Sequence, residues 1–162
     1  INDPNPVMYF EHKALYRSIS GMVPDDYYTV EIGKARLVQE GEDISIITYG
    51  SGVHWAIQYA EQHPDVSFDI VDLRTLLPLD YDAIQASVRR TGKVLILHED
   101  SLFGGIGGEI SAWITEHCFT MLDAPVIRCA SLDTPIPFAI ELEQNFMAKR
   151  KLGDCVQKLM AY

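Results

Sequence analysis

The segment 68–80 constrains the fold most, because a strand pattern, a charged turn and a helix start follow one another within it. Its first residues are mainly apolar and end at Asp72, which is typical of a buried strand. Pro78 disfavours helical geometry at the residue before it, and Asp80 can cap a helix that follows. The segment therefore predicts a βα junction, and open α/β sheets bind ligands beside such strand ends.

The same alternation of strand and helix patterns continues along most of the chain. The apolar periodicity predicts strands at 35–39, 44–49, 66–73, 94–97 and 126–130, and helices at 53–60, 80–91, 110–118 and 152–160. Single helices between strands favour a parallel sheet covered on both faces. The turn at 40–43 is short, which predicts that the first two strands pair in antiparallel fashion. The predicted fold class is α/β: a three-layer α/β/α sandwich with a mostly parallel five-stranded sheet and one antiparallel edge strand.

The first thirty residues are predicted to be a lead-in, and 31–162 the α/β domain. Residues 7–10 form a short strand candidate, and a cluster of Gly, Pro and Asp at 21–26 interrupts any regular structure. The chain begins with Ile1 and not with methionine, so we expect it to be a processed or excised piece of a longer polypeptide.

Charge and cysteine content exclude several classes of function. The 13 basic and 23 acidic residues give a net charge of −10, which repels nucleic acid and anionic membrane surfaces. No apolar run approaches the roughly 20 residues that cross a bilayer. The three cysteines, Cys118, Cys129 and Cys155, are far apart, which indicates neither a zinc site nor a disulfide framework and favours a reducing compartment.

Polar residues that follow the predicted strands should meet at one rim of a parallel sheet. They are Ser51, Asp72, Arg74, His98, Glu99, Ser131 and Asp133. We predict that this rim is the functional surface. The alternative is that these residues only close loops, with Asp72 pairing with Arg74 or capping a turn.

Three further features of the rim and its surroundings are ambiguous. His98 can exchange protons near neutral pH with help from Glu99, but neighbouring residues on a strand point to opposite faces, so a structural hydrogen bond is the alternative. Trp113 is predicted to anchor the core or an interface. The extended loop around Asp133 and Pro135 either holds a neighbouring subunit or simply ends a structural element.

The glycine-rich segment 104–108 predicts a tight turn with close helix packing. Bare amides at a helix start could also bind phosphate, but the dinucleotide and P-loop spacings are missing, no lysine follows, and Glu109 already offsets the helix dipole. The five histidines lack metal-ligand spacing, and no Gly-x-Ser-x-Gly elbow is present. We therefore predict no metal site in this chain and no hydrolase chemistry.

Five stretches, in order, resemble the C-terminal domain of transketolase-like enzymes, and specifically the beta chain of the 2-oxoacid dehydrogenase first component. They are 5–17, 72–80, 91–99, 104–110 and 133–137. The segment 146–149 departs from the family pattern before the last helix. The resemblance implies a transketolase C-terminal-like domain at 31–162, preceded at 1–30 by the end of a pyrimidine-binding domain.

The resemblance also implies a function. The chain would be the C-terminal assembly domain of a thiamine-diphosphate-dependent 2-oxoacid dehydrogenase, which decarboxylates a 2-oxoacid oxidatively and transfers the acyl group to lipoyl. Thiamine diphosphate and Mg²⁺ would be held by other domains, and this chain would bind no cofactor and be inactive alone, with His98 and Glu99 as accessory candidates. The implied partners are a second copy, an alpha chain or diphosphate-binding domain, the pyrimidine-binding domain and an acyltransferase core protein. The implied location is the cytoplasm, or the mitochondrial matrix in a eukaryote.

Two other functions stay open at this point. Another transketolase-like enzyme with phosphorylated substrates would favour more basic residues on the rim, where Arg74 stands alone. A free-standing flavodoxin-like or nucleotide-binding module would bind its ligand by itself. The identity of the 2-oxoacid, and the choice between a separate beta chain and an alpha-beta fusion, are also open.

Overall fold

A computed structural model describes residues 4–162, and the chain divides into two units after Val30. The first unit contains a short 3-10 helix, Lys13–Arg17. The second unit, Glu31–Tyr162, carries all the strands and α-helices described below. None of the helices within residues 4–162 has both the length and the apolar character that crossing a bilayer requires.

The second unit is built around a five-stranded sheet. Its strands are β1 Arg36–Gln39, β2 Ile44–Thr48, β3 Phe68–Asp72, β4 Val94–Ser101 and β5 Ile127–Ser131. Their order across the sheet is β1-β3-β2-β4-β5. Strands β3, β2, β4 and β5 are parallel, while β1 runs antiparallel to β3 at the edge. The predicted sheet, mostly parallel with one antiparallel edge strand, is confirmed.

Helices cover both faces of this sheet. They are α1 Ser51–Gln62, α2 Tyr81–Thr91, α3 Ile106–Cys118, α4 Ile140–Phe146 and α5 Leu152–Met160, with 3-10 turns at Phe119–Met121 and Ala148–Lys151. One apolar cluster joins the sheet to α1 and α5, and a second joins the opposite face to α2 and α3. The predicted three-layer sandwich is therefore confirmed. Helix α4 and the 3-10 turns were not predicted.

The predicted pairing of the first two strands is wrong, because β3 lies between β1 and β2. The segment 40–43 crosses the start of β3, where the Gly41 amide donates to Asp69 Oδ1 at 3.2 Å and the Asp43 amide to the Ser67 carbonyl at 2.9 Å. A Cβ at Gly41 would overlap the Phe68 carbonyl group. Glycine thus permits a close crossing, and a short connection here does not make a hairpin.

The strand predicted at 7–10 is also absent: these residues have no strand geometry and are exposed, Phe10 to 88%. A strand needs a neighbour to satisfy its amides and carbonyls, and no strand within residues 4–30 offers one. Apolar side chains alone do not make such a segment a strand, because a strand also requires backbone hydrogen bonds to a neighbouring strand.

The start and end signals of α2 are confirmed. Asp80 Oδ1 accepts from the Ala83 amide at 3.2 Å, as expected of an N-cap. Its other oxygen accepts from the Ala35 amide at 3.0 Å, so the same carboxylate also fixes the approach to β1. Gly92 ends the helix in the left-handed region, with φ of 66°.

A buried polar network lies at the amino ends of β2 and β3, under α2. Asp69 is completely buried, and its carboxylate accepts from the Ser87 hydroxyl at 2.5 Å and forms an ion pair with Arg90. The Ser45 hydroxyl lies 2.7 Å from the hydroxyls of both Ser87 and Thr91. Because each buried polar group in the network has a partner, no donor or acceptor is left unsatisfied, and the network holds α2 on the sheet.

Candidate functional site at the carboxyl edge of the sheet

The four parallel strands end at one edge of the sheet, which we call the rim. Strands β2, β3 and β5 end at Thr48, Asp72 and Ser131, and β4 extends further to Ser101. The rim is defined by the residues that close these strand ends, namely 48–51, 72–74, 98–105 and 131–135. Open α/β sheets bind ligands at this position.

Strand β4 is irregular where it reaches the rim. Leu97 pairs with Cys129 and Ser101 with Ser131, so β4 uses four residues where β5 uses two. Such a bulge bends the strand and redirects its side chains. His98 and Glu99 lie in this irregular stretch, which extends past the predicted strand end at residue 97.

The His98 side chain lies inside the domain and not on the rim surface, since it is completely buried. Its ring lies 6.4 Å, centroid to centroid, from the Tyr49 ring in a stacked arrangement. Within residues 4–162 neither ring nitrogen makes a hydrogen bond of normal geometry. Burial lowers the pKa of His98, and the Asp100 carboxylate opposes that shift only in part, so the neutral ring is favoured.

The glycine segment packs against this ring. A Cβ at Gly107 would overlap the imidazole, with 2.7 Å to Cδ2, and a Cβ at Gly105 would lie 2.8 Å from Cε1. The prediction of a tight turn with close helix packing is confirmed. Because the two glycines face a buried side chain, the space that a phosphate would need beside them is already filled.

Glu99 is directed away from His98 and bonds to the start of α1. The Ser51 hydroxyl donates to Glu99 Oε2 at 2.8 Å. Tyr49 lies on the same part of the rim, where burial raises the pKa of its phenol and the Asp100 and Glu99 carboxylates raise it further. The Ser51–Glu99 contact joins the start of α1 to β4 and places a half-buried carboxylate on the rim.

Asp133 joins the loop after β5 to the loop after β4. Its Oδ1 accepts from the Phe103 amide at 2.7 Å, and Arg128 donates to the Leu102 carbonyl at 3.1 Å. Pro135 lies two residues further along, exposed in the extended segment before α4. These bonds fix the path of the chain between the glycine segment and β5.

Asp72 and Arg74 occupy a different part of the rim. Asp72 Oδ1 accepts from the Arg74 amide at 3.1 Å, and Arg74 has φ of 57°, which describes a tight turn after β3. Strands β2 and β4 separate β3 from β5, so this turn lies about 14 Å, three strand spacings, from the end of β5 near Asp133. The structure does not bring these two candidates together.

Trp113 lies away from the rim, on the outer side of the helix pair α2 and α3. Its ring stacks on Tyr81 at 4.5 Å and on His117 at 4.7 Å. It is seven residues beyond the start of α3, about 10 Å along the helix axis. An open surface pocket of about 640 Å³ follows at the far end of α3, lined by residues that include Thr115, Phe119 and Pro125.

The residues of the rim do not fit a diphosphate cofactor. Asp72, Glu99, Asp100 and Asp133 contribute four carboxylates there, against two guanidinium groups, that of Arg74 and that of Arg128, which donates to the Leu102 carbonyl. Such a surface repels a polyanion, and the glycine segment has no open cradle for one. Within the described part of the chain, no three His, Cys, Asp or Glu side chains come together as metal ligands do.

Comparison with known sequences and structures gives the family. The sequence pattern of the transketolase C-terminal domain matches residues 33–151. The chain belongs to the transketolase C-terminal domain family. Among solved structures, the chain is similar to a split-gene transketolase described as an inactive beta4 tetramer. The TM-score is 0.69 and the sequence identity 25%, over 86% of this chain and 45% of that one.

The family relatives include beta subunits of 2-oxoacid dehydrogenases. The chain is 48% identical over 150 residues to the 2-oxoisovalerate dehydrogenase subunit beta of Bacillus subtilis, covering 91% of this chain and 46% of the relative. It is 43% identical over 141 residues to the pyruvate dehydrogenase E1 component subunit beta of the same organism, covering 86% and 43%. The chain thus spans less than half the length of these relatives. The resemblance to this subgroup is confirmed.

Sequence reasoning placed Ser51 on the rim but did not single out Tyr49, and it predicted neither residue's contact with the end of β4. Tyr49 and Ser51 contact the end of β4 only because β2 lies beside β4 in the sheet. One signal was present in the sequence: closely spaced glycines at 104–108 indicate that a large side chain lies opposite. The identity of that side chain follows only from the structure.

Proposed function

We propose that this chain is the C-terminal assembly domain of the beta part of a thiamine-diphosphate-dependent 2-oxoacid dehydrogenase. The parent enzyme oxidatively decarboxylates a 2-oxoacid and transfers the acyl group to lipoyl. This chain mediates subunit contacts and has no activity alone. The observation that carries the proposal is the identity of 43–48% to 2-oxoacid dehydrogenase beta subunits over nearly the whole chain.

The cofactor, in this proposal, is held elsewhere in the parent. The rim is acidic, and the His98 ring occupies the space beside the glycine segment. Residues 31–162 therefore supply no diphosphate site. Thiamine diphosphate with Mg²⁺ would supply the carbanion chemistry from the neighbouring diphosphate-binding and pyrimidine-binding domains. We assign residues 1–30 to the end of that pyrimidine-binding domain.

The segment between β5 and α5 supplies the contact surface in this proposal. It exposes a series of apolar side chains, among which Phe138 is fully exposed, and the series is Ile136, Phe138, Ile140 and Leu142. Contiguous apolar exposure of this kind is typical of a protein interface. We assign it to a second copy of this chain, with the alpha chain and the acyltransferase core protein as further partners of the assembled parent.

His98 and Glu99 act as accessory residues in this proposal. The neutral, buried His98 ring supports the glycine segment, and Glu99 holds the start of α1 through Ser51. Neither residue acts as a nucleophile. Their effect on the parent reaction is to keep the rim in a fixed shape against the neighbouring domains.

The self-association test is sedimentation equilibrium of the purified chain. We expect a dimer, and we expect the double variant Ile136→Ser, Phe138→Ser to have a higher dissociation constant, so that it becomes monomeric at protein concentrations where the wild-type chain is still dimeric. Burying one such side chain contributes about 2 kcal/mol, which corresponds to a roughly 30-fold weaker dimer per lost contact. Phe119→Ser, an exposed aromatic at the far end of α3, is the matched control and should leave the dimer unchanged. A monomeric wild-type chain, or equal weakening by the control, contradicts the proposal.

Ligand binding separates this function from a free-standing module. Calorimetric titration of the purified chain with thiamine diphosphate and Mg²⁺ should give no heat of binding. The same result is expected with flavin mononucleotide and with ATP. Measurable affinity for a flavin or nucleotide would replace the assembly function with the flavodoxin-like alternative.

A further inference from the structure

Residues 136–151, which we call the interface segment, carry apolar, acidic and basic side chains in separate groups. The exposed apolar series lies within 136–142. Glu141 and Glu143 lie in the first turn of α4, and residues 140–146 contain no lysine or arginine. Three basic residues follow in the 3-10 turn Ala148–Lys151, which we call the basic turn and which contains no acidic residue: Lys149, Arg150 and Lys151. The interface segment thus presents both signs of charge, at two separate places.

The two charged places are fixed on the domain by the residues between them. Phe146 and Ala148 are buried. The Leu132 amide donates to the Phe146 carbonyl at 3.1 Å, and the Ala148 amide donates to the Ser131 hydroxyl at 3.2 Å. The chain is therefore tied to the end of β5 at both residues. Because α4 and the basic turn are already held in place, they need little further ordering when they meet a partner.

The charges of the interface segment have no opposite charge in contact with them within residues 4–162. The two glutamates of α4 and the three cations of the basic turn form no ion pair there. Lys149 donates instead to the neutral amide oxygen of Gln58, at 3.0 Å. Both glutamates, Lys149 and Arg150 are exposed. Exposed apolar side chains beside unpaired charges are typical of an interface with a polar rim.

A second copy of this chain matches the whole interface segment, whereas a partner of one charge sign matches only part of it. Two-fold symmetry places the same surface on both sides of an interface, so that two different parts of it can face each other twice. If α4 of one copy meets the basic turn of the other, carboxylates face cations at both contacts. The methylene stems of lysine and arginine also cover apolar surface, which suits the apolar residues of α4.

We propose that in the dimer α4 of each copy packs against the basic turn of the other, and that these two identical contacts set the orientation of the copies. The inference rests on the proposed function, which assigns the apolar series to a second copy. Each chain carries a net charge of −10, so repulsion opposes association. Opposite charges in contact at these two places offset that repulsion and disfavour arrangements that bring like charges together.

The test is sedimentation equilibrium of two charge-reversed variants, alone and mixed. The helix variant is Glu141→Lys, Glu143→Lys, and the turn variant is Lys149→Glu, Arg150→Glu. Each alone places like charges at both contacts, so its dimer should be at least about tenfold weaker than that of the wild-type chain. Far-UV circular dichroism checks that the variants are folded.

An equimolar mixture of the two variants should form a mixed dimer whose dissociation constant is within about threefold of the wild-type value, because opposite charges face each other again at both contacts. The net charge is −6 for the helix variant and −14 for the turn variant, so the mixed dimer carries −20, the same as two wild-type chains. Recovery in the mixture therefore reports the pairing of the two places and not the total charge.

The matched control is Glu61→Lys, Glu116→Lys, at exposed positions on α1 and α3. It has the same net charge as the helix variant and less repulsion between copies than the wild-type chain, so it should dimerise at least as well as wild type. The helix variant should dimerise worse, although its net charge is equally reduced.

The outcomes separate this inference from the proposed function. A dimeric wild-type chain whose charge-reversed variants dimerise equally well would overturn the inference and leave the assembly function in place. Weakened variants that do not recover on mixing would also overturn it, as would equal weakening by the control, since the charges would then not face each other across the dimer. A monomeric wild-type chain contradicts the proposed function itself, and this inference with it.

Discussion

Gly107 is the position where a single added methyl group should reveal the packing around His98. In Gly107→Ala the new Cβ would lie 2.7 Å from His98 Cδ2 and 3.3 Å from Ile96 Cγ2, against the 3.5–4.0 Å at which carbon atoms attract. The ring cannot retreat freely, because it is completely buried with Gly105 on one side and Tyr49 near it. Overpacking of this kind costs about 1–3 kcal/mol.

Gly108→Ala is the matched control, one residue further along the same helix. Its Cβ would meet only Arg128 Nη1, at 3.4 Å. Alanine is favoured over glycine in a helix by up to about 1 kcal/mol, so this variant should be neutral or slightly stabilised. The two variants should therefore differ by about 2 kcal/mol in the free energy of unfolding, or roughly 4–8 °C in melting temperature for a chain of this size.

The measurement is urea unfolding followed by circular dichroism, with His98→Ala as the second half of a double-mutant cycle. Removing the ring removes the overlap, so Gly107→Ala should cost almost nothing in the His98→Ala background. A coupling energy of about 2 kcal/mol would assign the cost to the glycine–histidine contact. The glycine–histidine contact does not carry the cost if Gly107→Ala is as stable as Gly108→Ala, or if the loss of stability in Gly107→Ala persists after His98 is replaced.

Two further predictions concern buried ionisable groups. Asp69→Ala should lower the free energy of unfolding by about 2–4 kcal/mol, because it removes the acceptor for Ser87 and Arg90. The control Asp65→Ala, at an exposed position, should change it by less than about 0.5 kcal/mol. Similar urea midpoints for the two variants would contradict this prediction. For His98 the folded-state pKa is lowered, so the unfolded chain takes up the proton first and stability should fall as pH decreases below the unfolded value of 6.5. His98→Gln should flatten this part of the pH dependence of the urea midpoint, and an unchanged slope would show that burial does not control the ring's charge.

The helices and strands of the sandwich could be predicted because their apolar periodicity is local. The cap at Asp80 and the end at Gly92 are signals carried by single residues, and the structure has both. Helix α4 was missed because it is short and largely exposed, so its apolar residues show no buried face. The order of the strands was missed at one place, since the turn at 40–43 does not show that β3 enters between β1 and β2.

The rim was predictable as a location but not as a set of contacts. Its position follows from the parallel strands, whose ends lie together. The contact of Ser51 with Glu99 and the packing of Gly107 on His98 depend on which strands are neighbours, and the sequence does not state that. Asp69 is similar: its ion-pair partner Arg90 lies 21 residues away in α2, and nothing local to β3 predicts that pairing.

The short outer strand β1 also bears on how the protein behaves at high concentration. An open strand border invites other chains to add to the sheet and build fibrils. Here that border has only four residues, its pairing with β3 is irregular between Leu37 and Gln39, and Arg36 is exposed at its start. A brief, kinked and charged border gives an incoming strand little to align with, so preparations concentrated for calorimetry should resist polymerisation from this side of the sheet.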